Sequence, residues 1–208
     1  MPPKFRFTRE EIVHAALALT AEGGAKAVTA RALAAKLGSS AKPIFGLFEN
    51  MEELQRAVLA AAFEKYSRFI AAEMTKGEYA PYKASGMAYI RFARDERELF
   101  KLLFMRERSR EEQLSATNDD VKPLLQLISK NTGMTEAEAA RFHTEMWLFV
   151  HGIATMIATS FLDWSDEDVS RALTDVYGAM TRRWAKKKNR KCPHPPLKQT
   201  VLPGATAR

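Results

Sequence analysis

The chain has little of what secreted and membrane-spanning proteins require. It contains one cysteine, Cys192, so no disulfide can form within it. No apolar run approaches the roughly 20 residues that cross a bilayer. The first residues also lack the apolar core of a secretory signal. We therefore expect a cytoplasmic protein that has no transmembrane helix.

Motifs that carry catalytic chemistry are also missing. The sequence has no phosphate-binding glycine loop, no nucleophile elbow and no cluster of metal ligands, and its four histidines are scattered. Cys192 has only His194 nearby, whereas a zinc site needs about four ligands. We expect no catalytic residue, no metal and no cofactor, which makes an enzyme the least favoured class of function.

Positive charge is spread unevenly along the chain. The net charge is +7 overall, and residues 181–208 hold nine basic and no acidic side chains. This run can bind nucleic acid without sequence preference. The alternative, which we favour, is a solvated helix end that complements the helix dipole. The four prolines that follow Cys192 predict a disordered tail over residues 191–208.

A helix-turn-helix pattern covers residues 29–48. Thr29 can cap a first short helix, and Gly38 can adopt the positive φ that ends it. Ser39 or Ser40 can then cap a second short helix, with Lys42 and Pro43 in its first turn. Such a unit presents the first turn of its second helix to the major groove of DNA.

The flanking residues extend this pattern on both sides. Thr8 and Glu11 have the spacing of a capping box, so a helix should begin after Thr8. Asn50 and Glu53 form a second cap pair, which should begin a long fourth helix. Together these segments predict a three-helix DNA-binding head that leads into a helical body.

The order and spacing of about ten residues carry a family resemblance. They are Thr8-Arg9-Glu10, Ile12, Ala16-Leu17, Glu22-Gly23, Thr29, Arg31, Leu33-Ala34, Gly38, Ser40, Phe45, Phe48 and Glu52-Glu53-Leu54. The series resembles the TetR/AcrR family of bacterial transcriptional regulators. That family usually has tyrosine in place of Phe45 and lysine in place of Met51. The resemblance implies that the usual tyrosine and lysine each contact a phosphate. This chain therefore lacks two such contacts.

The rest of the chain reads as a helical bundle. Helices are expected over residues 50–76, 81–94, 95–107, 119–131, 135–161 and 165–188, with no strand. Thr135 and Glu138 have the spacing of a capping box at the start of the fifth of these. The segments Tyr89-Ile90-Arg91-Phe92-Ala93, Glu98-Leu99-Phe100 and Leu103-Phe104, and Trp147 with His151-Gly152, resemble the WHG-type C-terminal domain of TetR regulators. The predicted fold is all-α, with a helix-turn-helix domain at 7–53, an effector-binding and dimerisation domain at 54–190 and the tail.

Three groups of site residues follow from the pattern and the resemblance. The DNA-binding group is Lys4, Arg6, Thr29, Arg31, Ser39, Ser40, Ala41, Lys42, Pro43 and Phe45. The effector-pocket group is Met87, Phe92, Phe104, Met105, Met146, Trp147 and His151. The dimer-interface group, taken from the apolar faces of the last two helices, is Phe149, Ile153, Ile157, Leu173, Val176 and Met180. For His151, packing in the core is the favoured alternative to ligand contact.

These observations lead to one functional hypothesis. The chain is expected to be a homodimer that binds a pseudo-palindromic operator in double-stranded DNA. The resemblance implies a repressor that a small apolar or amphipathic effector releases from its operator. The alternative is a constitutive or architectural DNA-binding protein without effector control.

Overall fold

A computed structural model describes residues 7–108 and 121–188, and all of its regular elements are helices. Nine α-helices and one short 3-10 helix, Ala25–Ala27, lie within these ranges. Helices α1 to α4 are Arg9–Gly23, Ala30–Lys36, Lys42–Phe45 and Met51–Thr75. Helices α5 to α9 are Pro81–Asp95, Arg97–Phe104, Lys122–Thr132, Glu136–Ala158 and Asp166–Lys188. The all-α prediction is confirmed.

Local sequence determines where several helices begin. The Thr8 hydroxyl accepts a hydrogen bond from the Glu11 N–H at 3.1 Å, and the Glu11 carboxylate accepts one from the Thr8 N–H at 2.8 Å. Thr135 and Glu138 repeat this reciprocal pair at the start of α8. Both capping boxes were predicted, because they depend on residues only three apart.

Some helix ends differ from the predicted positions. Helix α8 ends at Ala158 and not near residue 161, because Ser160 takes a positive φ of 58° that no helix continues through. Helix α6 is shorter than the predicted 95–107. The predicted start at residue 119, the tail at 191–208, Lys4 and Arg6 lie outside the described residues.

The described residues group into two compact units. The first contains residues 7–69 and 95–106, and the second contains 70–94, 107–108 and 121–188. This grouping differs from the predicted boundary after residue 53, because the first part of α4 and the whole of α6 belong with the N-terminal helices.

The first unit has one buried apolar core that unites α1 to α4. Its members are Ile12, Ala16, Val28, Leu33, Ala34, Ile44, Phe48, Leu54 and Val58. Helix α6 packs on α1, and its Leu102 reaches this core. The Phe104 ring lies 5.1 Å from the Tyr66 ring of α4. Such aromatic contacts explain why α6 is part of this unit.

The second unit is built around α8, on which α7 and α9 pack. Its core includes Leu125, Ile128, Met134, Ala139, Phe142, Met146 and Trp184. Arg91 of α5 donates hydrogen bonds to the carboxylates of Glu73, Glu78 and Asp166 at 2.6, 2.8 and 2.7 Å. One guanidinium therefore ties the end of α4 and the start of α9 to α5.

Candidate nucleic-acid interface

The helix-turn-helix forms from short-range interactions. The Thr29 hydroxyl accepts from the Ala32 N–H at 3.1 Å and so caps α2 as predicted. Gly38 has a φ of 59°, also as predicted, and lets the chain turn after α2. The Ser39 N–H then donates to the Ala34 carbonyl at 2.9 Å, which closes the turn.

The start of α3 differs from the prediction. The residue in the cap position is Ala41, and no side chain makes a capping hydrogen bond there. A side-chain cap requires an extended residue before the helix, whereas Ala41 has helical φ and ψ of −71° and −14°. Ser39 and Ser40 are therefore not helix caps. Lys42 and Pro43 do occupy the first turn, as expected.

Two buried side chains fix the rotation of α3. Ile44 is fully buried in the core of the first unit, and Phe48 is buried just after the helix. Since successive helical residues point in different directions, this anchorage leaves Lys42 and Phe45 exposed. The helix thus presents a cationic and an aromatic side chain to the surroundings.

Most of the predicted DNA-binding residues lie at the surface of the first unit. Thr29, Arg31, Ser40, Lys42 and Phe45 are exposed. Ser39, Ala41 and Pro43 are half-buried. Residues 39–43 and Phe45 are therefore accessible or partly accessible around α3, and Ile44 between them is buried.

Arg9 has a positioning role that the sequence pattern did not assign to it. Its guanidinium donates to the Leu47 carbonyl at 2.9 Å and to Glu53 Oε1 at 2.7 Å. The pKa of Glu53 is held below its ordinary value by the Glu49 N–H and then by Arg9. The motif around Thr8 was the only available signal, because the partners of Arg9 lie about 40 residues away.

Two tyrosine–histidine pairs connect α5 with α8 in the second unit. The Tyr82 hydroxyl lies 3.0 Å from His143 Nδ1, and the Tyr89 hydroxyl lies 2.9 Å from His151 Nδ1. Burial lowers the pKa of His143 to about 4 and raises that of Tyr82. At neutral pH His143 is therefore an uncharged hydrogen-bonding partner.

His151 differs from His143 in its surroundings. Its ring is half-buried and stacks on Trp147, with ring centres 4.8 Å apart and planes 13° from parallel. Burial lowers the pKa of His151, and the nearby positive charge of Arg108 adds to this effect. Trp147 and His151 thus form a partly accessible polar aromatic pair, which the buried Tyr89 contacts through its hydroxyl.

The seven predicted pocket residues are divided between the two units. Phe104 and Met105 belong to the first unit, where Phe104 packs against Phe100. In the second unit, Met87 and Phe92 are fully buried, and Met146 is part of the core beneath α7. Trp147 and His151 are in direct contact. The predicted group therefore draws on both units, because α6 belongs with the N-terminal helices.

Most of the residues predicted for a dimer interface pack inside the chain's own second unit. Ile153, Ile157 and Leu173 are buried, and Val176 and Met180 pack against the core of the second unit. Phe149 is half-buried. Because α8 is apolar on several sides, helical periodicity alone did not show which side faces the chain's own core.

A different side of α8 is apolar and accessible. Leu148 is 58% exposed, Met156 is 36% exposed, and Phe161 beyond the helix end is 79% exposed. Gly152 lies between the first two, and a side-chain carbon added there would meet no atom of the described residues within 4 Å. Leu148, Gly152 and Met156 recur every four residues, so they share one face.

The structure gives no sign of a metal centre or a membrane span in the parts of the chain that it describes. No three His, Cys, Asp or Glu side chains come together there in a way that could hold a metal ion. Within the same residues, no helix combines the length and apolarity needed to cross a bilayer.

Comparison with known proteins agrees with this architecture. The family model described as bacterial regulatory proteins of the tetR family matches residues 12–58, which contain the helix-turn-helix. The model described as the tetracyclin repressor-like C-terminal domain matches residues 82–180. The chain belongs to the TetR family. It is therefore a DNA-binding transcriptional regulator.

A solved structure supports the TetR fold over most of the chain. A member of the TetR family from Streptomyces coelicolor A3 is 18% identical in sequence, and the match covers 80% of this chain and 96% of the relative. The TM-score is 0.51. At this level of identity the likeness establishes the fold alone. No curated protein has a sequence that matches this chain.

Proposed function

We propose that this TetR-family regulator is a homodimeric repressor that binds a pseudo-palindromic operator through α3. The observation that carries the proposal is the accessible stretch around Lys42 and Phe45. It stands on a helix that buried Ile44 and Phe48 hold in place. A preformed helix can enter the major groove without the cost of ordering a flexible loop.

Side-chain chemistry separates the residues proposed to read bases from those proposed to contact phosphates. Lys42 is the long hydrogen-bond donor in the first turn of α3, so it is the candidate for reading a guanine edge. Arg31, together with Lys4 and Arg6 of the N-terminal segment, is proposed to contact phosphates, which fix position without reading sequence. Thr29, Ser39, Ser40, Ala41 and Pro43 would complete the contact surface.

Selection of bound DNA from a random pool tests this function. The expected result is a sequence with two related half-sites whose centres are about 34 Å, one helical turn, or a multiple of it apart. Binding to all sequences alike would instead support the alternative of an architectural DNA-binding protein. The affinity should fall steeply as salt concentration rises, because phosphate contacts release counterions.

The proposed dimer surface is the exposed face of α8. Leu148 and Met156 would be covered by the same face of a second copy, and Gly152 would let the two helices approach closely. We propose this face instead of the residues predicted around Ile153, because most of those pack within one chain. A two-fold arrangement would carry two copies of α3, one for each half-site.

Effector control is proposed to involve Trp147, His151 and Tyr89. The half-buried rings of Trp147 and His151 offer an apolar stacking surface, and His151 with the buried Tyr89 supplies hydrogen-bonding atoms. This combination is typical of small-molecule sites. An effector that binds one dimer conformation better than the other would shift the population and release DNA.

Thermal denaturation with small amphipathic aromatic compounds tests the effector site. A ligand should raise the melting temperature of the wild type by linkage, and the same ligand should weaken operator binding. His151→Gln should reduce both effects. Tyr82→Phe, which alters the deeper tyrosine–histidine pair, is the matched control and should leave the ligand response in place.

A further inference from the structure

Phe45 is unusual among the residues around the helix-turn-helix. Phe45 is 47% exposed, and within residues 7–60 no other large apolar residue is exposed. A single exposed apolar residue is ordinary on a protein surface and needs no explanation by itself. Phe45 differs because it stands on α3, the helix for which we propose entry into the major groove.

The surroundings of Phe45 fix the direction of its ring. Its neighbour Ile44 is fully buried, and Phe48 is buried three residues later. The ring of Phe45 cannot turn into that core without displacing them, because both positions are filled. Lys42 lies three residues before Phe45 and therefore on the same face of the helix, where it is also exposed.

The chemistry of the phenyl ring limits what it can recognise. The ring has no polar hydrogen, so it cannot donate to a phosphate oxygen as most backbone contacts require. Among the groups that the four base pairs present in the major groove, the C5-methyl group of thymine is the apolar one. Contact between the ring and this methyl group would release water from both surfaces.

We propose that Phe45 is a specificity-determining residue that reads one thymine per half-site through its methyl group. The inference rests on the proposed operator binding. It assigns to α3 a second base contact in each half-site, beside the one proposed for Lys42. Lys42 and Phe45 are separated by ~4.5 Å along the helix axis, and base pairs are ~3.4 Å apart. The thymine should therefore lie within about two base-pair steps of the base that Lys42 reads.

Replacement of thymine by deoxyuridine tests this directly, because it removes the methyl group and leaves every hydrogen-bonding group in place. The probe is the operator selected from the random pool, with each thymine replaced in turn. Wild-type protein should bind about fourfold more weakly when the critical thymine of one half-site is replaced. Replacement in both half-sites should weaken binding about 15-fold.

The variant Phe45→Ala completes a double-mutant cycle, in which the other change is the replacement of thymine by deoxyuridine. It should bind the unmodified operator more weakly, yet it should be insensitive to deoxyuridine at the thymine that matters to the wild type. Phe45→Leu, which keeps an apolar side chain, should retain part of the sensitivity. Equal melting temperatures of the three proteins would show that the fold is unchanged, as expected for an exposed residue.

Two results would overturn the inference. One is a wild type that tolerates deoxyuridine at every thymine. The other is Phe45→Ala with the same deoxyuridine sensitivity as the wild type, which would place the ring against sugar or backbone. Failure of the proposed function is separable, since a protein that selects no operator fails before any thymine is replaced.

Discussion

The guanidinium carbon of Arg9 lies 4.1 Å from the centre of the Phe48 ring. The same group donates hydrogen bonds to the Leu47 carbonyl and to Glu53 at the start of α4. One side chain of α1 therefore holds the segment that leads from α3 into α4. Since Phe48 anchors α3, the contact bears on how rigidly the recognition helix is presented.

Removal of this contact should loosen the first unit. Arg9→Ala is expected to lower the free energy of unfolding by about 1–2 kcal/mol through loss of charge-assisted hydrogen bonds and ring packing. Arg56→Ala is the matched control, because Arg56 forms an exposed ion pair with Glu52. It should change stability by less than about 0.5 kcal/mol. Urea denaturation measures both, and equal effects would contradict the role of Arg9.

The buried histidine of the second unit predicts a pH dependence of stability. The pKa of His143 is lowered to about 4 by burial, whereas the unfolded chain takes up this proton near its ordinary value of 6.5. Between these values the unfolded state binds more protons. The contribution of His143 is therefore fully present above about pH 6.5 and is lost as the pH falls toward 4.

The size of this effect is up to about 3 kcal/mol, since one pKa unit corresponds to about 1.4 kcal/mol. In His143→Gln this part of the pH dependence should be absent, while glutamine can still accept from Tyr82. Urea denaturation of both proteins between pH 4 and 7 gives the difference, in which contributions of the shared carboxylates largely cancel. Parallel stability curves would disprove the assignment.

The exposed face of α8 predicts which substitutions separate a dimer without unfolding the chain. Leu148→Glu with Met156→Glu should convert the dimer to a monomer at micromolar concentration, as measured by sedimentation, with the helix content retained. Gln126→Glu, an exposed position on α7, is the control and should leave the dimer intact. A wild type that sediments as a monomer would disprove the dimer itself.

Substitution of a core residue on the same helix should behave differently. Ile153 is only 4% exposed, so Ile153→Ala should lower the free energy of unfolding by about 2–5 kcal/mol. This variant separates loss of folding from loss of association. If it instead dissociated a stable protein, the original set of interface residues would be restored.

Lys42 and Arg31 are expected to affect DNA binding in different ways. Lys42→Ala should cost about 1–3 kcal/mol at the preferred operator and relax preference at one base pair per half-site. Arg31→Ala should weaken binding to all sequences alike and reduce the salt dependence by about one unit of slope. Titration of operator and unrelated DNA at several salt concentrations distinguishes them. An unchanged preference in Lys42→Ala would mean that α3 is misassigned.

The sequence was sufficient for features that depend on near neighbours. The capping boxes at Thr8 and Thr135 and the left-handed Gly38 were predicted correctly, because each depends on residue types at most three positions apart. The predicted cap of α3 was wrong, because capping depends on the path of the chain as well as on residue type. Both serines have cap chemistry, but the path of the turn decides which residue reaches the cap position.

Tertiary packing determines which side of α8 is buried and which unit contains α6, and the local sequence pattern does not. Helix α8 is apolar on more than one side, so the sequence did not show that Ile153 faces the chain's own core while Leu148 faces outward. Nor does any local signal place α6 with the N-terminal helices, since its apolar residues would suit either unit. The predicted pocket group therefore contains residues of both units.

The composition of the first unit limits how this regulator can be recombined with its relatives. Residues 97–104 belong with the N-terminal helices, although the second unit's α5 precedes them in the chain. A hybrid joined at one point near residue 53 would therefore take α6 from the wrong parent and leave Leu102 facing a foreign core. Exchange of DNA specificity between such proteins should need two segments of one parent, 7–69 and 95–106, transferred together.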